Sequence, residues 1–227
     1  MMTFANVILW ACVLIGLALG VFGFIQGGLN RKSIWFAVIM VISASWAITI
    51  LLAFGGDAEF QVVNAGWINL PPILMFYAAP QLALAFVDVP KKVSWLIYGL
   101  SLITVIILSS LILFAPNFLI LGAHGEGDAM VLDFNPVSLI MFGFQLVLLA
   151  TVTMVVMLKA MKQARTALGK KLIRNVIIGY FCGFVAGGVF NIAMSSIHWI
   201  HWVGPTATLF FAFTMYAAVV KYGADEV

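Results

Sequence analysis

Charge is what this sequence has least of. Asp, Glu, Lys and Arg supply 8% of its 227 residues, against about 25% in soluble globular domains. A chain so short of ionisable groups cannot cover a water-facing surface, and 64% of its residues are hydrophobic. Nothing is left over for a soluble domain. Cysteine is scarcer still. Cys12 and Cys182 both fall inside apolar blocks, which argues against a disulfide framework. No Lys or Arg precedes the first apolar block, and that block is too long for a signal-peptide core, so it reads as a retained span. The net charge of +3 does not point to nucleic acid either, because the cations lie in short loops where they set membrane orientation.

What is present is apolar sequence in long blocks, of the roughly 20 residues that a bilayer core requires. Polar punctuation divides them into seven spans, at 5–26, 33–54, 66–87, 93–114, 134–158, 172–196 and 203–221. The expected fold class is an all-α integral membrane protein, a seven-transmembrane-helix bundle forming a single domain over 1–227. Helices are expected because an unpaired backbone group in lipid costs several kcal/mol, and the alternation of a barrel strand is missing. The outer loop at 115–133 is expected to hold a short interfacial helix near Phe118 to Leu121. Pro71 and Pro72 are expected to open or kink the third span. The fifth helix is expected to continue below the membrane until Gly169 breaks it.

Orientation follows from the loops. Arg31, Lys32, Lys91, Lys92, Lys159, Lys162, Arg165, Lys170, Lys171, Arg174 and Lys221 all fall on one side, which makes eleven of eleven cations. The opposite loops carry Asp57, Glu59, Glu126, Asp128 and Asp133 and no cation. By the positive-inside rule the basic side is cytoplasmic and the N-terminus lies outside, in a bacterial cytoplasmic membrane. Trp10, Trp35, Trp67, Trp95, Trp199 and Trp202 sit near span ends, as interfacial belts require, whereas Trp46 lies deep in the second span.

Three constellations invite a functional reading. The first is glycine at helical spacing: Gly16, Gly20, Gly23 and Gly27 in the first span, and Gly179, Gly183 and Gly187 in the sixth. Such stripes let a neighbouring backbone approach closely, in the same chain or in another subunit. The second is a set of neutral polar residues at depth: Asn69, Tyr77, Gln81, Gln145, Asn191, Thr206 and Thr208. All but Gln81 are candidates to line a pocket for a small, largely apolar ligand; the commoner use of such residues is hydrogen bonding between helices. The third is the basic stretch at Lys159, Lys162, Arg165, Lys170, Lys171 and Arg174, with Lys221 closing the last span. It suits a protein partner or anionic lipid, and membrane orientation alone also accounts for it.

Other chemistry finds little footing. The spans hold no fully intramembrane Asp, Glu, Lys, Arg or His, which counts against ion-coupled transport. Lys221 lies at the cytoplasmic end of the last span, so retinal has no mid-membrane Schiff-base lysine. His198 and His201 stand near His124, Glu126 and Asp128 only in the sense of sharing a side of the membrane. Metal ligation needs three or four converging donors, so no metal and no cofactor are read here. Without a nucleophile–base or acid pair at depth, an enzyme is not expected.

One resemblance adds to this. A basic segment leads into a glycine-rich span, KKLIRNVIIGYFCGFVAGGVFNI, from Lys170 to Ile192. A short outer turn reaches Gly204–Pro205, and the last span runs FFAFTMYAAVVKY up to Tyr222. This C-terminal third resembles the N-terminal seven-helix sensor region of bacterial histidine kinases. In those proteins the seventh helix hands a signal to a kinase or cyclase domain. Here the sequence given ends at Val227 with no phosphoacceptor or ATP-binding module. The resemblance therefore implies a sensor-type membrane fold, with output through a separate protein. Pro80–Gln81 matches a dipeptide of PQ-loop transporters, but that family's second copy is missing. The expected function is a receptor-like regulatory membrane domain acting on a cytoplasmic or membrane partner. The alternatives are a non-catalytic accessory subunit of a larger membrane complex and, less favoured, a small-solute transporter, which should show internal repeat symmetry.

Overall fold

The structure, a computed structural model, describes residues 4–54, 58–115, 118, 120–124, 131–186, 203–216 and 218–219. Among the described residues the chain forms seven α-helices and one two-stranded ribbon. The helices are α1 (Phe4–Gly27), α2 (Arg31–Phe54), α3 (Ala58–Leu84), α4 (Lys91–Phe114), α5 (Pro136–Gln163), α6 (Ala167–Tyr180) and α7 (Val203–Tyr216). The ribbon pairs β1 (Ile120–His124) with β2 (Val131–Phe134) in antiparallel register. Beyond Tyr180, α6 widens into π-helical turns over Phe181–Ala186.

Local chemistry explains where several helices start. Gly28 ends α1 at φ +66, a left-handed position that a residue with a Cβ rarely adopts. Two residues later the Asn30 side chain accepts the backbone N–H of Ser33 at 2.8 Å and so caps α2. Asn135 does the same for α5, accepting from Val137 at 3.0 Å, with Pro136 in the first helical position where its missing N–H costs nothing. Thr166 caps α6 through the Gly169 N–H at 2.9 Å.

Four segments, Phe4–Gly27, Arg31–Leu52, Lys91–Phe114 and Pro136–Gln163, are long and apolar enough to cross a membrane. Little of their apolar surface is spent on a core. Within the most apolar window of each, 33% is buried for α1 and α4 and 22% for α5. A helix that is apolar all round and mostly uncovered belongs in lipid.

The helices pack in chain order, each on the next, and α7 closes back on α1. Across the ring α2 also meets α7, and α3 meets α5. The main core runs through Phe36, Ile39, Met40 and Ala47 of α2, Ala78 and Leu82 of α3, Ile173 of α6, and Phe211, Ala212 and Met215 of α7. Trp46 belongs to this core. A smaller cluster joins Ile73 of α3 to Val105, Leu108 and Ile112 of α4, with Phe142 of α5 against it.

Cross-links gather the same ends of the helices into one basic end of the bundle. The Gln163 amide donates to the Asp88 carbonyl at 3.1 Å and accepts the Asp88 N–H at 3.3 Å, tying α5 to the α3–α4 turn. Arg31 hydrogen-bonds Tyr98 of α4. The buried Lys32 lies over the Phe86 ring at 5.0 Å, and the Tyr216 hydroxyl donates to Gln26 at 2.9 Å.

Three expectations need correction. Of the segment near Phe118 to Leu121, Phe118 is helical, but Leu121 lies in β1, paired within a ribbon that satisfies its backbone. Helix α3 is continuous through Pro71, Pro72 and Pro80, so the prolines do not open it. The break after α5 falls at 164–166 rather than at Gly169, which instead lies in the first turn of α6 and is held by the Thr166 cap.

Candidate functional site

The polar residues at depth divide into two sets. Thr206 and Thr208 lie on α7 against α1 and α2: Thr206 is 3.6 Å from the Cys12 sulfur, and Thr208 is 2.7 Å from the Ser43 hydroxyl. Thr208 also donates to the Pro205 carbonyl at 2.6 Å. A hydroxyl has one proton to give, so in the Ser43 pair Thr208 accepts and Ser43 donates. The other set belongs to α3, α4 and α5. Gln145 accepts from Thr104 at 3.3 Å, and Tyr77 packs on the smaller core cluster with its ring edge-on to Trp35, centroids 5.6 Å apart. Asn69 lies two turns before Tyr77 on α3 and is part-buried. Asn191 lies outside the described residues. Thr206, Thr208, Gln145 and Tyr77 thus each meet a side chain of another helix.

Sequence reasoning missed half of each pair. Ser43 and Thr104 are hydroxyls in the middle of apolar blocks, and that position was the available signal. Thr153 of α5, which faces the Tyr180 hydroxyl of α6, gives the same sign. Gln81 is fully enclosed, and neither atom of its amide has a partner among the described residues.

The glycine stripes meet neighbouring helices of the same chain. A Cβ on Gly16 would touch the Met40 carbonyl and Ala44 of α2 at 3.7 and 4.0 Å, and one on Gly20 would reach Met40 at 3.0 Å. Gly27 lies against Ser33, and Gly23 is buried. In α6, Gly179 faces Thr214 and Gly183 faces Phe211 and Ala207, all on α7. Gly187 lies outside the described residues.

The basic stretch is where side chains converge. Lys162 of α5 and Lys170, Lys171 and Arg174 of α6 line an open groove of about 610 Å³ together with Met161 and Ala167. Its geometry follows from the amphipathic pattern of α6. Gly169, Leu172, Ile173, Val176 and Gly179 face the core, which turns Lys170, Lys171 and Arg174 outward. Ala164 is buried and bonds back to Ala160 at 3.0 Å, folding the connection tightly so that Lys162 faces the cations of α6. Lys159 and Arg165 are exposed beside the groove without lining it, and Lys221 lies outside the described residues. Among the described residues no carboxylate lines the groove to offset its four charges.

Among the described residues no three His, Cys, Asp or Glu side chains come together as metal ligands. His198 and His201 lie outside them. No known protein family and no curated protein matches this chain.

Proposed function

We propose that this chain is a receptor-like regulatory membrane protein that crosses a bacterial cytoplasmic membrane seven times, N-terminus outside and basic end in the cytoplasm. Support for the topology comes from seven helices in a ring and from cations gathered at one end. A ligand, small and largely apolar, biases the packing of the helices, and the change passes to a cytoplasmic or membrane partner at the basic end.

The observation that carries this reading is the course of the sixth helix. Its α-turns give way to π-turns at Phe181–Ala186, beside the contacts of Gly179 and Gly183 with α7. A π-turn holds an extra residue and offsets the register of the side chains that follow; such turns occur frequently at functional sites. Between two helices that meet through glycine, few side chains have to disengage for one helix to move past the other. The second reading, an accessory subunit, is favoured by an exposed apolar groove of about 320 Å³ between α1 and α2. Phe24, Ile34, Ala37, Val38, Val41 and Ile42 line it, an apolar surface of the kind against which a partner's helix packs.

The test is to lock the ring and watch its basic end. Ser43→Cys with Thr208→Cys replaces two hydroxyls that are 2.7 Å apart, so an oxidised pair pins α2 to α7. Ser43 stands about 18 Å along α2 from Arg31. In lipid vesicles the oxidised form is expected to change hydrogen exchange across 158–176, and to change the recovery of the partner from native membranes. Exchange and recovery that are identical in the oxidised and reduced forms would overturn the regulatory reading in favour of the accessory subunit.

A further inference from the structure

We infer that the groove between the ends of α5 and α6 is a binding site for an anionic phospholipid of the cytoplasmic leaflet. This rests on the proposal that the basic end lies at the inner membrane surface. Lys162, Lys170, Lys171 and Arg174 converge there from two helices, with no carboxylate in the lining among the described residues. Four like charges in one groove repel each other, and a phosphate relieves that repulsion. The Arg174 guanidinium offers it a two-pronged contact, and the lysines offer point charges.

What selects a lipid over a soluble anion is the surface directly above the cations. On α6, Ile178 and Phe181 follow Arg174 by four and seven residues, on the same face, and are 51% and 56% exposed. On α5 the same spacing runs in reverse from Lys162: Leu158 and Val155 lie four and seven residues back and are 41% and 60% exposed. The helices are antiparallel, so both stripes rise from cation to apolar side chain toward the membrane interior, over about 10 Å. The surface is cationic at its base and apolar on both walls, which matches a phosphate headgroup with acyl chains above it. A free phosphate or an acidic peptide would leave the walls unused. The bound lipid joins the start of α6 to the end of α5, and so holds the helix whose π-turns face α7.

The test uses the full chain in a mild detergent, titrated with phosphatidylglycerol or with phosphatidylcholine and read by native mass spectrometry. The native chain is expected to retain phosphatidylglycerol preferentially. Lys170→Gln with Arg174→Gln is expected to weaken that retention by about fivefold per cation removed. Lys91→Gln with Lys92→Gln removes the same charge elsewhere at the basic end and is expected to leave it intact. Ile178→Ser with Leu158→Ser keeps every cation and is also expected to lower retention. Equal retention of the two lipids, or equal losses in the groove and control variants, overturns the inference. Displacement of the lipid by glycerol 3-phosphate overturns the lipid as occupant and identifies a soluble anion instead. Flotation of the chain with phosphatidylcholine vesicles is measured separately; a chain that does not float refutes the membrane reading itself.

Discussion

Gly183→Ala is the sharpest probe of how α6 meets α7. The new Cβ would fall 2.6 Å from the Phe211 Cβ and 2.8 Å from the Ala207 carbonyl oxygen. Carbon atoms rest at about 3.5–4.0 Å, so α7 would have to retreat by about 1 Å. Both obstructing atoms sit on or next to the backbone, and no rotamer change removes them. Overpacking of this kind costs about 1–3 kcal/mol, and alanine's better helix propensity returns about 1 kcal/mol of it. The net expectation is a loss of up to about 2 kcal/mol. Two controls have the opposite sign. Gly16→Ala meets α2 at an ordinary 3.7 Å, and Gly99→Ala on α4 meets nothing within 4 Å. Each is expected to gain up to about 1 kcal/mol, since alanine restricts the unfolded chain. Unfolding in mixed micelles, followed by tryptophan fluorescence, measures the series. If Gly183→Ala proves as stable as Gly99→Ala, the close approach of α6 to α7 is wrong.

Other consequences are open to direct measurement. A double-mutant cycle on Ser43→Ala and Thr208→Ala should yield a coupling of about 0.6 kcal/mol and no more than about 1.7 kcal/mol, the range seen for hydrogen bonds between membrane helices. Gln163→Ala should cost about 0.5–1.5 kcal/mol and speed exchange of the Asp88 amide, which the Gln163 side chain accepts in the folded protein; unchanged exchange would refute that tie. For orientation, a cysteine in place of Glu126 should react with an impermeant reagent on intact cells while one in place of Arg165 should not. The reverse pattern would invert the proposed topology.

The apolar blocks were legible because hydropathy reports the solvent a segment needs, and four of the blocks became helices of membrane-crossing length. Helix boundaries were less legible because other forces set them. Helix α3 starts at Ala58, eight residues before the expected Gly66. Its first turns read AEFQVVNA, too polar for a hydropathy window to notice and yet free of any helix breaker. The α5–α6 break turned on one hydroxyl. Gly169 looked like the breaker because glycine weakens a helix interior, but Thr166 lies three residues earlier and uses the Gly169 N–H as the third donor of a capped helix. A first-turn glycine costs little there. The β ribbon left no trace in hydropathy, because its pairing satisfies the backbone whatever side chains it carries.

The site was legible in composition and illegible in pairing, for a physical reason. Periodicity says which face of a helix a residue occupies, but not which neighbour that face meets. Glycine at four-residue spacing therefore announced close approach in both α1 and α6 without distinguishing them, and the two seams differ. Along α1 a Cβ has ordinary room at Gly16, meets Met40 at 3.0 Å at Gly20 and collides with the Ser33 side chain at Gly27, whereas along α6 a Cβ at Gly183 would come within 2.8 Å of a backbone oxygen of α7. The second seam runs into the π-turns of Phe181–Ala186. Under the proposed function, the α6–α7 seam, with its close glycine contacts and its π-turns, is where ligand binding would act. The same helix carries Lys170, Lys171 and Arg174 at its other end. Under the proposed function, a lipid phosphate held by those cations and a ligand acting on the π-turns would bear on the same helix, which would give the bilayer's anionic content a route to bias the packing of α6 on α7.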